Sequence, residues 1–229
     1  MQELLVQDLG RQSYQPVWDL QESFLQESLK MKAEGRASET QHRLLLVEHP
    51  PVYTLGKSGK MEHVLIEDAQ REQLGIEFFK TNRGGDITFH GPGQIVGYPI
   101  LDLEKVYTDI GKYLRNLEEV IILTMAEYGL KGDRSPGETG VWLDPDIKGR
   151  ERKICAMGVR CSRWVTMHGF AFNVNTDLNY FNHIVPCGIQ QKSVTSLEKE
   201  LGHPLEMEAV KNILLQKFAQ VFEMNLVRI

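Results

Sequence analysis

The sequence predicts an α+β fold, a single domain spanning residues 1–229, with a mixed or antiparallel sheet and flanking helices. Three observations carry this prediction. Amphipathic patterns of helical length lie near both ends of the chain, and short apolar runs of strand length are grouped between them. These runs do not alternate with helices as a βαβ repeat requires. No internal repeat and no Pro/Ser-rich linker divides the chain.

Three helices are predicted from apolar stripes and stop signals. The first covers about Pro16 to Lys32 and ends before Gly35; its stripe is Val17, Leu20, Phe24 and Met31, widened by Leu25 and Leu29. The second begins near Thr108 or Asp109 and reaches Tyr128, with an apolar face of Ile110, Tyr113, Leu114, Leu117, Ile121 and Met125. The third covers about Leu205 to Met224, with Glu206 and Glu208 near its positive end.

The apolar runs between these helices predict strands. They are Leu44–Glu48, Val52–Leu55, Glu77–Thr81, Ile95–Leu101, Val141–Leu143, Lys153–Arg160, Trp164–Met167 and Phe170–Val174. The polar segment 144–152 contains Pro and Gly and is interpreted as an exposed hairpin tip or loop.

Composition and charge exclude several classes of protein. Hydrophobic residues make up 41% and charged residues 25%, as in an ordinary globular protein. The net charge of −5 argues against a positively charged surface for binding nucleic acid. The sequence has no apolar stretch of membrane-spanning length and no recognisable signal peptide, so we expect a cytoplasmic protein without a membrane anchor. Three cysteines then indicate free thiols in a reducing compartment.

The sequence contains only incomplete motifs for nucleotide and metal binding. Gly56-Lys57-Ser58 resembles the end of a P-loop, but Pro51 stands where that motif needs its first glycine. Gly91 and Gly93 begin a dinucleotide fingerprint that Val96 breaks. The spacings of cysteine and histidine match no common zinc site. We therefore expect no metal and no nucleotide cofactor.

The densest cluster of glycines lies in residues 83–94, RGGDITFHGPGQ. Glycine allows backbone N–H groups to approach a ligand, Arg83 offers planar donors, and His90 is able to change protonation near neutral pH. An ordinary tight hairpin explains the same composition. The alternation of Ile87, Thr88 and Phe89 favours a strand edge that lines a pocket.

Two residues are candidates for nucleophilic chemistry. Cys187 stands in a Pro-Cys-Gly turn, where a thiol is sterically open, whereas Cys155 alternates within an apparent strand and fits a packed core position. Lys153 opens an apolar strand and is either a surface charge, a cation that raises the thiolate fraction of a nearby cysteine, or a base.

Residues 148–163 carry six basic side chains and one acidic one, which indicates either a solvated hairpin or a docking patch for an acidic macromolecule.

Together these motifs resemble the lipoyl(octanoyl) transferase family, also called lipoate–protein ligase B. The matching pieces are RGGDITFHGPGQIVGYPILDL at 83–103, KICAMGV at 153–159, HGFAFNV at 168–174 and PCGI at 186–189, in the family's order. The resemblance implies a fold like the catalytic domain of biotin and lipoate protein ligases, with an acyl tunnel beside the sheet. It also implies that an octanoyl (or lipoyl) group passes from acyl carrier protein to Cys187 and then to a specific lysine of a lipoyl domain.

The resemblance assigns further roles residue by residue. Lys153 is the second catalytic residue. The substrate-contacting residues are Arg83, Gly84, Gly85, Asp86, Ile87, Thr88, Phe89, His90, Ala156, Met157, Gly158, Gly169, Phe170 and Ala171. The implied acceptors are the lipoyl domains of 2-oxoacid dehydrogenases and the glycine cleavage H protein, with no cofactor.

Two residues depart from the family pattern. Asp86 and Phe89 stand where many members have Gln and Tyr, so an amide donor and a hydroxyl are lost.

Three other functions remain open. An ATP-dependent lipoate or biotin ligase would not need Cys187, and the GRGRxGR-like loop typical of biotin ligases is absent. An amidotransferase that moves lipoyl groups between carrier proteins would use the same cysteine. A non-catalytic acyl-carrier-binding module would need neither Cys187 nor Lys153.

Overall fold

The computed structural model describes residues 2–185 and 193–229. The strands, in chain order, are β1 (Gln2–Arg11), β2 (His42–Glu48), β3 (Val52–Leu55), β4 (Glu77–Lys80), β5 (Ile87–His90), β6 (Gln94–Ile100), β7 (Val141–Leu143), β8 (Arg152–Ser162), β9 (Val165–Asn173), β10 (Ser193–Val194) and β11 (Met224–Arg228). The α-helices are α1 (Tyr14–Ala33), α2 (Asp68–Gln73), α3 (Ile110–Ala126), α4 (Leu197–Leu201) and α5 (Met207–Phe222).

The larger sheet is mixed, which confirms the predicted fold class. Its order is β10-β8-β9-β6-β2-β1-β11, with β7 paired to β8. Strand β1 runs parallel to β2 and β11, and β10 runs parallel to β8. The remaining pairs of this sheet are antiparallel. A second sheet of order β4-β3-β5 carries the glycine-rich segment at one end of β5.

Helices cover both faces of the larger sheet because its strands alternate apolar side chains between the faces. On β2, Leu44 and Leu46 join the core cluster that contains α3 and α5. Leu45 and Val47 join the opposite cluster, which α1 covers. The smaller sheet has an apolar cluster of its own, closed by the 3₁₀ segment Leu178–His183.

The second predicted helix is confirmed, and the third ends earlier than predicted. The Asp109 side chain accepts a hydrogen bond from the Lys112 N–H at 2.9 Å and caps α3. Helix α5 stops at Phe222 because Glu223 takes a left-handed conformation with φ of 53°. From Met224 the chain forms β11 against β1, a pairing between residues more than 200 positions apart.

The first helix is confirmed in extent, but its buried face is rotated relative to the predicted stripe. Leu20, Phe24 and Met31 are only half-buried. The buried positions are Tyr14, Val17, Gln21, Leu25 and Ser28. Gln21 is tolerated there because its Oε1 accepts a hydrogen bond from the His168 N–H at 2.9 Å.

The two strands predicted over 164–174 are one continuous strand, β9. His168 keeps its place in the β8–β9 register with a φ of 56°, a left-handed conformation that local propensity does not favour. The terminal strands β1 and β11 were not predicted. No helix in the described part of the chain is long and apolar enough to cross a membrane.

The six basic side chains of residues 148–163 do not lie together in one patch, and Lys148, Arg150 and Arg163 are the ones that remain exposed. The Arg152 guanidinium pairs with Asp144 at 2.6 Å and with Glu200 at 2.7 Å. Arg160 pairs with Glu22 at 2.9 Å, and Lys153 is buried. Because β8 directs successive side chains to opposite faces, charges that are consecutive in sequence separate in space. The segment 144–151 is the predicted exposed loop, between β7 and β8.

Candidate active site

A cavity of about 620 Å³ lies where the glycine-rich segment meets β8 and β9. The structure brings nearly all predicted substrate contacts to this one place. Its lining includes Arg83, Gly84, Gly85, Asp86, Ile87, Thr88, His90, Lys153, Ala156, Met157, Gly158, Gly169, Phe170 and Ala171. Phe89 does not line it. Cys187 lies outside the described residues, so its role and the substrate contacts stay predictions.

Backbone hydrogen bonds hold the glycine-rich segment over the sheet. The Gly84 N–H donates to Val159 O on β8 at 2.9 Å. A Cβ on Gly158 would lie 2.6 Å from Gly84 O, so glycine there permits this close approach. On the other side, the N–H groups of Lys57 and Ser58 donate to Arg83 O and Gly85 O. The segment that resembled a P-loop therefore supports the wall of the cavity.

Arg83 braces this segment from inside. Its Nη2 donates to Thr54 O at 2.5 Å, to Thr54 Oγ1 at 2.9 Å and to Asp86 O at 2.8 Å. Its Nη1 donates to Gly84 O at 2.9 Å. Arg83 as a whole is 8% exposed, and its guanidinium ties β3 to the glycine-rich turn. Its planar donors therefore serve the cavity wall itself.

His90 is neutral, and the expected protonation change near pH 7 is wrong. Its Nδ1 lies 2.9 Å from Gln94 Oε1, and its Nε2 lies 3.3 Å from Thr54 Oγ1. Gln94 uses its amide nitrogen to donate to Phe89 O and Asn173 Oδ1, so its oxygen accepts from His90 Nδ1–H. Burial, helped by the nearby His49, lowers the pKa of His90 to about 3.

His168 also lines the cavity as a neutral ring. Its Nε2 lies 2.7 Å from Asn82 Oδ1, which fixes that nitrogen as the donor. Burial, then the positive charge of Arg83, lowers the pKa of His168 to about 3. Neither His90 nor His168 is charged at neutral pH, and both are held by amide side chains. This arrangement favours a supporting role for both rings.

The two departures from the family pattern each have a local partner. Asp86 Oδ2 lies 2.5 Å from His63 Nδ1, and Asp86 Oδ1 accepts from the Ile87 N–H at 2.7 Å. The Phe89 ring stacks on Tyr180, with centroids 4.6 Å apart, and packs edge-on to Phe181. Phe89 thus belongs to the apolar cluster of the smaller sheet, where a hydroxyl is not required.

Small side chains from β8 and β9 leave space in the cavity. Ala156 pairs in register with Ala171, and Gly158 pairs with Gly169. A Cβ on Gly169 would overlap Gly97 O of the neighbouring strand β6, so the strands also require glycine at this position. The row of small residues predicted from sequence therefore lies side by side and lines one cavity.

Lys153 lies on β8 with 9% of its surface exposed and lines the same cavity. Its Nζ is 4.5 Å from the centroid of the Trp142 ring. Strand β10 begins at Ser193 and pairs with β8 so that Val194 stands opposite Lys153, and the Thr195 N–H donates to Lys153 O at 2.9 Å. The interpretation of Lys153 as a simple surface charge is therefore wrong.

The other two cysteines are poor candidates for a nucleophile. Cys155 is fully buried in the core, and desolvation raises the pKa of its thiol well above the ordinary value. This confirms its interpretation as a packed core residue. Cys161 is half-buried near the end of β8, and burial raises the pKa of that thiol too. A raised pKa reduces the thiolate fraction, which is the reactive form.

Several lining residues were not among the predicted substrate contacts. Some lie within the quoted motifs, namely Val96, Tyr98 and Val159, and others come from distant segments, namely Tyr14 of α1, Ser58, Ile110 and Leu114 of α3, Glu138 and Thr139. The amphipathic pattern of α3 identified Ile110 and Leu114 as apolar-face residues but gave no sign that they border a cavity. The packing of α1 and α3 against the sheet brings Tyr14, Ile110 and Leu114 to the site.

The buried histidines predict that acidification lowers stability. Burial lowers the pKa of His42 and His49 to about 4 and that of His90 and His168 to about 3. The unfolded chain binds these protons near pH 6.5, whereas the folded chain does not, so stability is lost as pH falls below 6.5. Between pH 7.5 and 5.5 each histidine should cost about 1.4 kcal/mol, or about 5 kcal/mol together. Urea unfolding at these pH values measures the change, and equal unfolding free energies would contradict it.

Comparison with known proteins identifies relatives of this chain. Residues 13–219 match the model of the lipoyl protein ligase A/B catalytic domain. A Christiangramia forsetii protein named Octanoyltransferase is 56% identical, over 98% of this chain and 97% of its own. A Parabacteroides distasonis protein of the same name is 49% identical, over 97% of this chain and all of its own. These relatives confirm the expectation of an enzyme of the acyltransferase class.

Solved structures with low sequence identity share the fold. A bipartite lipoate protein ligase from Thermoplasma acidophilum superposes with a TM-score of 0.72 at 15% identity, over 100% of this chain and 87% of its own. A biotin protein ligase from Aquifex aeolicus gives a TM-score of 0.51 at 13% identity, over 97% of this chain and 70% of its own. With the family model spanning most of the sequence, the chain belongs to the lipoyl protein ligase A/B catalytic-domain family.

Proposed function

We propose that this chain transfers an octanoyl group from the thioester of an acyl carrier protein to a specific lysine of a lipoyl domain. The observation that carries the proposal is the cavity that contains Lys153 beside the row of small residues on β8 and β9. The relatives named Octanoyltransferase support the acyl group. The proposed acceptors are the lipoyl domains of 2-oxoacid dehydrogenases and the glycine cleavage H protein.

In the first step the Cys187 thiolate attacks the carbonyl carbon of the octanoyl thioester. A new C–S bond forms, the bond from the carbonyl to the carrier sulfur breaks, and the carrier thiolate leaves with the electron pair. Lys153 supplies a proton to that leaving thiolate. A nearby ammonium also raises the fraction of Cys187 present as thiolate.

In the second step the acceptor amine attacks the octanoyl-cysteine. A C–N bond forms, the C–S bond to Cys187 breaks, and the thiolate of Cys187 is released. The amine loses a proton, which returns Lys153 to its ammonium form. Transfer between thiols is nearly thermoneutral and amide formation from a thioester is downhill, so the cycle needs no ATP.

The cavity suits a linear acyl chain. Its walls include Val96, Ile110, Leu114, Met157 and Phe170. Each methylene that such walls remove from water contributes about 0.8 kcal/mol to binding. The small residues of β8 and β9 leave the space that the chain would fill. Neutral His90 and His168 add no charge beside it.

Intact-mass measurement tests the proposal directly. The purified protein is mixed with octanoyl-acyl carrier protein without ATP, and a lipoyl domain is added later. We expect an octanoyl adduct that maps to Cys187 and is lost to the lipoyl domain. Acylation of the lipoyl domain only when free octanoate and ATP are supplied would instead identify an ATP-dependent ligase. Loading from a lipoylated protein in preference to the carrier would identify an amidotransferase.

A further inference from the structure

Trp142 and Lys153 form a cross-strand pair behind the cavity. The two residues stand opposite each other in the antiparallel β7–β8 register. The Lys153 ammonium lies over the face of the indole, 4.5 Å from the ring centroid. Trp142 is 2% exposed and is not part of the cavity lining. The ring therefore contacts Lys153 without lining the cavity that the described residues form.

Backbone hydrogen bonds hold the main chain of Trp142 in place. The Trp142 N–H donates to Asp133 O at 2.9 Å, and the Asp133 N–H donates to Trp142 O at 2.8 Å. These two bonds form an isolated bridge on the side of β7 opposite to β8. The backbone from which the indole extends is therefore held on both sides, by β8 and by Asp133.

The turn before β7 packs closely against β8. Gly140 has a φ of 118°, and a Cβ there would crowd Cys155 O and stand 3.6 Å from Lys153 Cε. The Gly140 N–H donates to Glu118 Oε1 at 2.9 Å, and Glu118 is fully buried beneath it on α3. Glu118 in turn pairs with Arg115 and Arg134. Helix α3 thus anchors the segment that carries Trp142.

We propose that Trp142 is a positioning residue that holds the charged ammonium of Lys153 in the active-site cavity. The negative face of an indole attracts a cation more strongly at a buried site than at an exposed one, and both residues of this pair are buried. The ring replaces hydration that the ammonium loses on burial without neutralising it. This inference rests on the proposed role of Lys153.

Other charged groups act on the same site. Among the described residues, those that share the cavity lining with Lys153 are Arg83, Asp86 and Glu138. Glu118, Arg115 and Arg134 are the charged groups behind Gly140. None of them changes when only the electron density of the indole is altered. An isosteric change of the ring therefore isolates its contribution.

Progressively fluorinated tryptophans provide that isosteric change. They are incorporated in a Trp18→Phe, Trp164→Phe background, in which Trp142 is the remaining tryptophan. Fluorine withdraws electron density from the ring face while the size of the side chain barely changes. The readouts are kcat and KM for octanoyl transfer and the pH dependence of Cys187 alkylation by iodoacetamide.

We expect kcat to fall stepwise across the series, by between about 3-fold and 30-fold overall, with KM unchanged. The midpoint of the alkylation–pH curve should move to higher pH at the same time. Trp142→Phe should retain more activity than Trp142→Leu when both remain folded. Trp142→Leu leaves the larger packing defect. Thermal unfolding of both variants shows whether a loss of activity comes from a loss of stability alone.

Two results would overturn the inference, and they are distinguishable. An unchanged kcat and alkylation midpoint across the series, with Lys153→Met strongly impaired, would remove Trp142 from the mechanism and leave the proposed function intact. Unimpaired transfer by Lys153→Met would remove the role of Lys153 itself, and the inference with it.

Discussion

Replacing Cys187 by Ala should abolish octanoyl transfer, with a loss on the order of 10⁴-fold or more, because no other group would form the covalent intermediate. The octanoyl adduct seen by intact mass should disappear as well. Cys187→Ser tests the same point with a smaller change in size, since a hydroxyl is a far weaker nucleophile at neutral pH. Rates of transfer to a lipoyl domain and the mass of the protein are measured on the same samples.

The other two cysteines supply matched controls for this experiment. Cys161→Ala removes a half-buried thiol and should retain both the adduct and the transfer rate. Cys155→Ala removes a thiol from the core and should lower stability more than activity. An adduct that persists in Cys187→Ala and maps to Cys155 or Cys161 would contradict the assignment of the nucleophile.

Lys153→Met should slow transfer by about 10²- to 10⁴-fold, the usual contribution of a general acid or base. Methionine keeps most of the stem but removes the charge beside Trp142. The pH–rate profile of acyl-enzyme formation should shift to higher pH because less Cys187 is ionised. A profile identical to that of the unaltered protein would contradict this role.

Lys153→Arg separates the two functions proposed for the lysine. Arginine keeps the positive charge but does not release a proton in the accessible pH range. If the charge alone matters, the Arg variant should retain both acyl-enzyme formation and transfer to the lipoyl domain. If proton transfer matters, both steps should be slowed, because Lys153 donates a proton in the first step and accepts one in the second. Lys148→Met, on the exposed β7–β8 loop, is the control for loss of a lysine charge and should behave like the unaltered protein.

Local sequence patterns were sufficient for most of the regular elements. The apolar stripe and the Asp109 cap predicted α3, and short β-branched runs predicted β3 and β7 at their observed bounds. These features depend on residues a few positions apart. The buried face of α1 was less predictable because it includes Gln21, whose burial depends on a hydrogen bond to His168 on β9.

The terminal strands show where local reasoning stops. Strand β1 lies between β2 and β11 in the larger sheet. Neither β1 nor β11 has a hairpin partner nearby in sequence. Their pairing closes a loop of more than 200 residues, and no periodicity within ten residues encodes it. The predicted third helix therefore extended to Met224, which is the first residue of β11.

The sequence by itself determined the family resemblance, the α+β class and the residue types of the site, because the glycine-rich segment and the motifs of β8 and β9 are contiguous stretches. Only the tertiary structure decided how these side chains are used. Burial lowers the pKa of His90, so its ring is neutral, and Arg83 donates hydrogen bonds within the cavity wall. Phe89 packs in the apolar cluster of the smaller sheet. Burial, charge pairing and the meeting of distant strands cause these outcomes, and each depends on neighbours that the local sequence does not specify.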